Sequence, residues 1–259
     1  MRKLIALGGS IVMLAALALP ASGVAAAPLA SQHDNFMSGP HGAMFFTAQA
    51  AGRLRQLPML RTRSPGHDVT PRGDRPRPLQ PGTYAASIFP IALRITVPAG
   101  WRGGQGQSKQ LAKPSSSFGW VVLSQGTAAR ARGAITIVTA YGRTPSVAAV
   151  VAGLRSRGRG ATYGPTTSVK IADFSGRQFD GNIAGQAHVF VPFSPRLRTA
   201  AFYPDAFAYD QGEAFRILAL DLRGKTVVVF LESAALPAEQ FPSFLASAHK
   251  ILGSLRFPG

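Results

Sequence analysis

Only two long stretches of this chain space their apolar residues as one face of a helix. Val147, Val150, Val151 and Leu154 recur at i, i+3, i+4 and i+7. Phe241, Phe244, Leu245, Ala248, Ile251, Leu252 and Leu255 keep the same spacing near the end. Almost all the remaining patterned sequence alternates, or runs β-branched between glycines, as strands do. A chain with so few helices cannot build a repeating strand–helix–strand architecture, because each parallel pairing needs a crossover helix. The pattern therefore predicts an α+β domain: an antiparallel sheet with two main helices packed on it.

The expected strands follow in order. Gly82-Thr83-Tyr84 opens one, and Leu93-Arg94-Ile95-Thr96-Val97 alternates up to Pro98-Ala99-Gly100-Trp101. Trp120 to Leu123 and Ala134 to Ala140 are apolar runs bounded by Gly. Thr144 then caps the first helix with Pro145 at its first position, and Gly158 and Gly160 stop it. Thr167 to Phe174 pairs with Gly176 to Asp180, and His188 to Phe193 makes another strand. Phe215 to Leu222 and Thr226 to Glu232 form a hairpin across Arg223-Gly224-Lys225. The last helix spans Ala238 to Gly253, with Pro242 tolerated in its first turn. Gly103-Gly104-Gln105-Gly106 leads to no helix and reads as a flexible loop after Trp101.

Ahead of that body the pattern is different. Arg2 and Lys3 precede an uncharged apolar run from Leu4 to Leu19, then Pro20 and the small residues Ala21 to Ala27. A positive start, an apolar run and a small-residue exit describe a secretory signal peptide, residues 1–26, cleaved between Ala26 and Ala27. The run is shorter than the roughly 20 residues of a spanning helix, and no later stretch reaches that length, so no transmembrane helix is expected after cleavage. Residues 27–80 read as a disordered Pro/Arg-rich tail and linker. Pro58, Pro65, Pro71, Pro76 and Pro78 crowd it together with Arg61, Arg63, Arg72, Arg75 and Arg77. Met44 to Leu60 is the one part able to make a short helix. Residues 81–259 then form a single α+β domain.

Several phrases of this body resemble secreted, mostly actinobacterial proteins of PsbP-like fold, a family of unknown function. They are Pro81-Gly82-Thr83-Tyr84 followed by Phe89-Pro90, Ile95-Thr96-Val97-Pro98-Ala99-Gly100-Trp101, and Val169 to Gly176. Leu220 to Val228 and Leu252 to Phe257 complete the set. The resemblance implies a curved antiparallel sheet with helices packed on it, acting as a non-catalytic binding or scaffolding domain. It supplies no catalytic residues. Related mycobacterial proteins are lipoproteins, and this chain has no Cys to carry a lipid.

The absence of Cys also excludes disulfides, thiolate metal sites and a cysteine nucleophile. The chain shows no Gly-x-Ser-x-Gly elbow after the leader, no phosphate-binding loop and no dinucleotide fingerprint. No catalytic residue, metal ligand or cofactor is assigned. His33, Asp34 and His41 lie in the tail, and His188 and His249 are isolated in the body. Asp205, Asp210 and Glu213 cluster between Tyr203 and Glu213 without the spacing of a calcium loop. They pair with local Arg in one reading and serve a hydrolase in another. Tyr203, Phe207 and Tyr209 form a recognition edge, joined by Trp101, if they are exposed, and core if they are not.

The net charge of +17 points to anions as partners. Arg130 with Arg132, and Arg155, Arg157 with Arg159, are the candidate polyanion contacts. For an exported chain these anions are wall polymers or lipid headgroups, and nucleic acid is excluded. Three functions remain: an exported binding or interaction domain for a small molecule or envelope protein, a cationic cell-envelope adhesion or scaffold protein, or a hydrolase using the acidic loop.

Overall fold

The computed structural model describes residues 54–60, 75–108, 117–127, 131–156, 160–185, 188–193 and 207–258. The leader, the tail to residue 53, and Arg130, Arg157, Arg159, Tyr203 and Asp205 lie outside them. In chain order the strands are β1 (Arg55–Gln56), β2 (Arg77–Pro78), β3 (Gly82–Ala86), β4 (Leu93–Val97), β5 (Arg102–Ser108), β6 (Phe118–Gly126) and β7 (Ala131–Ala140). Helix α1 (Val147–Arg155) follows, then β8 (Ala161–Tyr163), β9 (Thr167–Ile171), β10 (Phe174–Ile183), β11 (His188–Phe190) and β12 (Phe207–Tyr209). The chain ends with β13 (Ala214–Leu222), β14 (Lys225–Ala234), a 3₁₀ turn at Ala238–Gln240 and α2 (Phe241–Gly253). No described helix is long and apolar enough to cross a membrane.

Among the described residues, nine strands form one sheet in the order β2-β5-β6-β7-β14-β13-β10-β8, with β9 also on β10. Every pairing in it is antiparallel, as expected for an α+β domain. The sharpest local match is the β13–β14 hairpin, where Leu222 pairs with Lys225 across Arg223-Gly224. Both turn residues have positive φ (55° and 85°), which gives a type I′ turn. The Gly224 amide donates to Asp221 Oδ1 at 2.7 Å and closes it.

The central strands are buried on both faces. Val227 to Leu231 is buried at every position, which a sheet wetted on one side does not allow. One face, with Ile135, Ile137, Leu218, Leu220, Val227 and Val229, packs against α2 and the small β1-β3-β4 sheet. The other, with Val138, Phe215, Ile217, Val228 and Phe230, packs against α1 and the β11–β12 ribbon. Each fully buried aliphatic or Phe side chain contributes about 1.5–3 kcal/mol relative to exposure, so these two interiors dominate stability.

Three sequence expectations change. Gly103-Gly104-Gln105-Gly106 is strand, not loop: β5 pairs with β6 from Arg102↔Ser124 to Ser108↔Phe118. Glycine is required because neighbours occupy the space of a side chain. The Leu60 Cγ lies 2.5 Å from where a Cβ on Gly104 would stand, and the Trp120 ring overlaps that position on Gly106. Second, residues 54–60 and 75–80 belong to the body, and over 54–60 the chain is extended rather than helical. Leu57, Leu60 and Leu79 are buried. Third, α1 is capped by Ser146, whose Oγ accepts from the Ala149 amide, and not by Thr144. Thr144 Oγ1 instead accepts from the Thr226 amide at 2.8 Å, tying the helix entry to β14.

Gln105 holds the early segment in place. Its amide donates to the Pro58 carbonyl and its carbonyl accepts from Leu60, while its side-chain Nε2 donates to the Leu57 carbonyl at 2.8 Å. Its Oε1 accepts from the Ile88 amide at 3.1 Å. Gln105→Ala strands a buried carbonyl and an amide, so urea unfolding is expected to show a loss of about 2–4 kcal/mol. A loss below about 0.5 kcal/mol, the range of a neutral surface change, would show that this side chain does not anchor residues 54–60.

Candidate functional site

Trp101, Phe207 and Tyr209, the aromatic candidates within the described residues, do not form an exposed edge. Trp101 is 3% exposed and lies 6.1 Å from Phe244 of α2, in the core on that side of the sheet. Phe207 and Tyr209, on β12, face inward onto the opposite side. Phe207 stacks on Phe230 at 4.5 Å, and Tyr209 meets Phe190 edge-on at 5.2 Å and Phe215 at 5.8 Å. Tilted and edge-on ring pairs of this kind add about 0.5–1.5 kcal/mol beyond area burial, which is why β12 turns its rings down onto the sheet.

Arg155 is half-buried and held by its own neighbours. Its Nη1 donates to the Gly164 carbonyl at 2.6 Å and to Thr166 Oγ1 at 3.1 Å. Its guanidinium carbon lies 5.4 Å from the ring centres of both Tyr163 and Phe179. Those contacts pin the end of α1 to the sheet through cation–π attraction and hydrogen bonds. Arg132 is exposed.

The acids are dispersed, with one exception. Asp180 is held by Arg216 in a two-pronged ion pair at 2.6 and 2.8 Å, and His249 stands exposed on α2. Among the described residues, no cluster of three His, Asp or Glu side chains is arranged to hold a metal. The exception is at the end of the aromatic face. Glu232 pairs across β13–β14 with Phe215, so its side chain shares the inner face with Val228 and Phe230. Beside it lie Tyr209 and Glu213, the latter in the turn between β12 and β13.

Backbone bonds build that turn. The Gly212 amide donates to the Ile183 carbonyl at 2.8 Å, and the Ile183 amide donates to the Glu213 carbonyl at 2.9 Å. The Asp210 amide donates to Glu213 Oε2 at 3.0 Å, which folds the carboxyl back under the turn. Burial, together with the Glu213 charge, pushes the Glu232 carboxyl up to about 8. Burial also raises Glu213, against the pull of the Asp210 amide. Burial and the two carboxyls drive the Tyr209 phenol well above its usual range.

Tyr209 is 1% exposed, and its hydroxyl meets no partner in hydrogen-bond geometry. Glu232 is its neighbour, and the interaction between the two raises the phenol and pulls the carboxyl down. A buried phenol usually finds a partner, because leaving it unpaired costs roughly 1–3 kcal/mol. At neutral pH the arrangement presents a protonated carboxyl, a second carboxyl and a phenol beside them. It can hold a proton or a hydrogen-bonding ligand.

Of the sequence candidates, the structure brings Tyr209 and Glu213 together, with Asp210 exposed alongside. It leaves Trp101 and Arg155 elsewhere. Glu232 was missed, although a signal existed: it continues the Val228, Phe230 alternation by two residues, onto the apolar face.

Glu232 should make stability fall with rising pH. Its folded-state value of about 8 lies above the ordinary 4.5, so the stabilisation is complete below about 4.5 and is lost as pH climbs toward 8. The groups facing it are Tyr209 from β12 and Glu213 from the turn, with Asp210 acting through Glu213. Unfolding free energies across that window should drop by a few kcal/mol, at about 1.4 kcal/mol for each tenfold difference in proton affinity between the folded and unfolded chain. Glu232→Gln should flatten the slope. An unchanged slope in that variant would remove Glu232 as the source.

No protein-family model matches the chain. No curated protein matches it. Among solved structures it is similar to cyanobacterial PsbP (CyanoP) from Synechocystis sp. PCC 6803, at 10% identity over 70% of this chain and 95% of that one, with a TM-score of 0.38. It is also similar to a protein from Bacteroides thetaiotaomicron VPI-5482, at 9% identity over 70% of this chain and TM-score 0.34, and spans 50% of that protein's length.

Proposed function

We propose that this chain is an exported binding domain of PsbP-like type, whose ligand site is the Tyr209–Glu213–Glu232 cluster at one end of the sheet. The observation that carries the reading is the buried Tyr209 hydroxyl, which reaches no partner at full hydrogen-bond geometry and lies beside the half-buried Glu232 carboxyl. Folding leaves such a group unpaired only at a stability cost, and sites that recognise polar ligands carry that cost until the ligand arrives. Among the described residues the site contains no nucleophile placed against a base, so the reading is recognition and not turnover.

The PsbP-like part of the proposal rests on the sequence phrases. They fall on β3, on β4 and the bend before Trp101, on β9 with its turn, on the β13–β14 hairpin, and at the close of α2. Export rests on the leader, and the ligand is accordingly a small molecule or a group on an envelope component.

Two measurements test the proposal. Fragment screening by NMR on the full chain should return ligands that shift the amides of Tyr209, Asp210, Glu213 and Glu232. Fragments that shift only other regions would defeat the site assignment. Expression in a bacterial host should release a product whose first residue is Ala27; a cytosolic product that retains Met1 would defeat export.

A further inference from the structure

We propose that the α1 side of the β9–β10 hairpin is a second binding site, one that takes a phosphoryl dianion such as a phosphate monoester carries. Register places its groups. Ser168 stands directly opposite Arg177, and Lys170 directly opposite Ser175. Direct partners share one face of a sheet, and so do residues two apart on a strand. All four side chains therefore project from the same face, and all four residues are exposed. It is the face that α1 covers further in: Arg177 also pairs with Ala219, which lies in the core under that helix.

The four positions make a rectangle, with the hydroxyls on one diagonal and the cations on the other. Opposed Cβ atoms in such a ladder stand about 4.5–5.5 Å apart, and diagonal ones about 7–8 Å. An oxyanion over the centre is within hydrogen-bond reach of both serines, and Lys170 and Arg177 are long enough to fold over it from the other corners. Arg155 adds a third cation. Its guanidinium is fixed on the Gly164 carbonyl and on Thr166 Oγ1, two residues before Ser168. It also lies 5.4 Å from the ring centre of Phe179, two residues beyond Arg177. It therefore flanks the Ser168–Arg177 end of the rectangle.

The donor inventory selects the ligand. Two hydroxyls, an ammonium and a guanidinium present donors from four corners. A tetrahedral oxyanion has an oxygen for each, whereas a planar carboxylate has two in all. A phosphate monoester brings a charge of about −1.5 to −2 at pH 7, and a guanidinium takes two of its oxygens in parallel. An amine or a metal ion meets like charge. The acids near by are Asp173, in the hairpin turn, and Asp221, on β13, which accepts from the Gly224 amide. Asp180 is on the opposite face, held by Arg216.

The chain leaves these groups uncommitted. Among the described residues, no hydrogen bond or ion pair engages the side chains of Ser168, Lys170, Ser175 or Arg177. Other arginines are spent on the fold: Arg216 on Asp180, Arg102 on the Pro76 carbonyl, and Arg256 on the carbonyls of Gly253 and Leu255. The net charge of +17 draws anions to the whole surface, and the rectangle is where hydroxyls and free cations select among them.

The test titrates glycerol 3-phosphate, inorganic phosphate, dimethyl phosphate and acetate into the full chain at pH 7.5 and constant low ionic strength, following the amides of Ser168, Lys170, Ser175 and Arg177 by NMR. The expected result is saturable binding of the two dianions, about tenfold tighter than acetate and several-fold tighter than dimethyl phosphate. Tighter glycerol 3-phosphate assigns an organic phosphate; equal affinity assigns the phosphoryl group alone. Arg177→Gln should weaken binding about tenfold, and Ser168→Ala and Ser175→Ala several-fold each. Arg94→Gln removes the same charge from β4 and should leave the affinity within about twofold. Every substituted position is exposed, and thermal melts confirm that each variant folds.

Dianions that leave these four amides unshifted overturn the site. Acetate binding as tightly as phosphate overturns the tetrahedral assignment. Equal losses in Arg177→Gln and Arg94→Gln reduce the binding to the general field and overturn it too. Vesicles of phosphatidylglycerol that bind through these residues while the soluble phosphates do not would replace the monoester with a membrane surface.

Discussion

The strands at the middle of the sheet are apolar on both sides, and the rest of the architecture answers that constraint. Val227 to Leu231 buries every residue, so neither face of β14 can meet water. Two covering layers are obligatory. The long amphipathic α2 and the small β1-β3-β4 sheet close one face. The shorter α1 covers only part of the other, and the β11–β12 ribbon covers more of it with aromatic rings. The antiparallel ladders satisfy the backbone while those layers exclude water.

The ribbon's role explains why polar chemistry collects at one end. Rings from β11, β12 and β13 pack edge to face over the middle of that surface, and Phe230 of β14 meets them tilted or stacked. The face runs out at Glu232, one alternation beyond Phe230, where the register admits a carboxyl opposite Phe215. The tight β12–β13 turn then sets Glu213 close to it, under the Asp210 amide. A low-dielectric wall on one side and like charge on the other push both carboxyls toward their neutral forms. The same enclosure deprives the Tyr209 phenol of water.

Legibility in the sequence followed the range of the forces involved. The β13–β14 hairpin, the strand at Leu93–Val97 and the apolar face of α2 depend on alternation, turn glycines and helical spacing, all local, and they stand where the pattern puts them. β5 was illegible because its glycines signal looseness locally, and only Leu60 and Trp120, arriving from elsewhere, show that they make room. Residues 54–60 were illegible for a related reason. A Pro-flanked segment gains its order from Gln105, a partner far along the chain. The inward turn of Phe207, Tyr209 and Arg155 could not be read either, since aromatic and Arg residues look alike on a surface and in a core until the opposing ring is known.

What the amino-acid order determined alone is the class: few helices, many strands, hairpin connections, and no cysteine chemistry. Those properties arise from periodicity and composition, which act within a few residues of each position. Tertiary structure decided which polar groups meet. Tyr209, Glu213 and Glu232 come from a strand, a turn and another strand, and their proximity exists only once β12 folds over β13 and β14. Their protonation follows from burial and from each other's charge, quantities that no single residue carries with it.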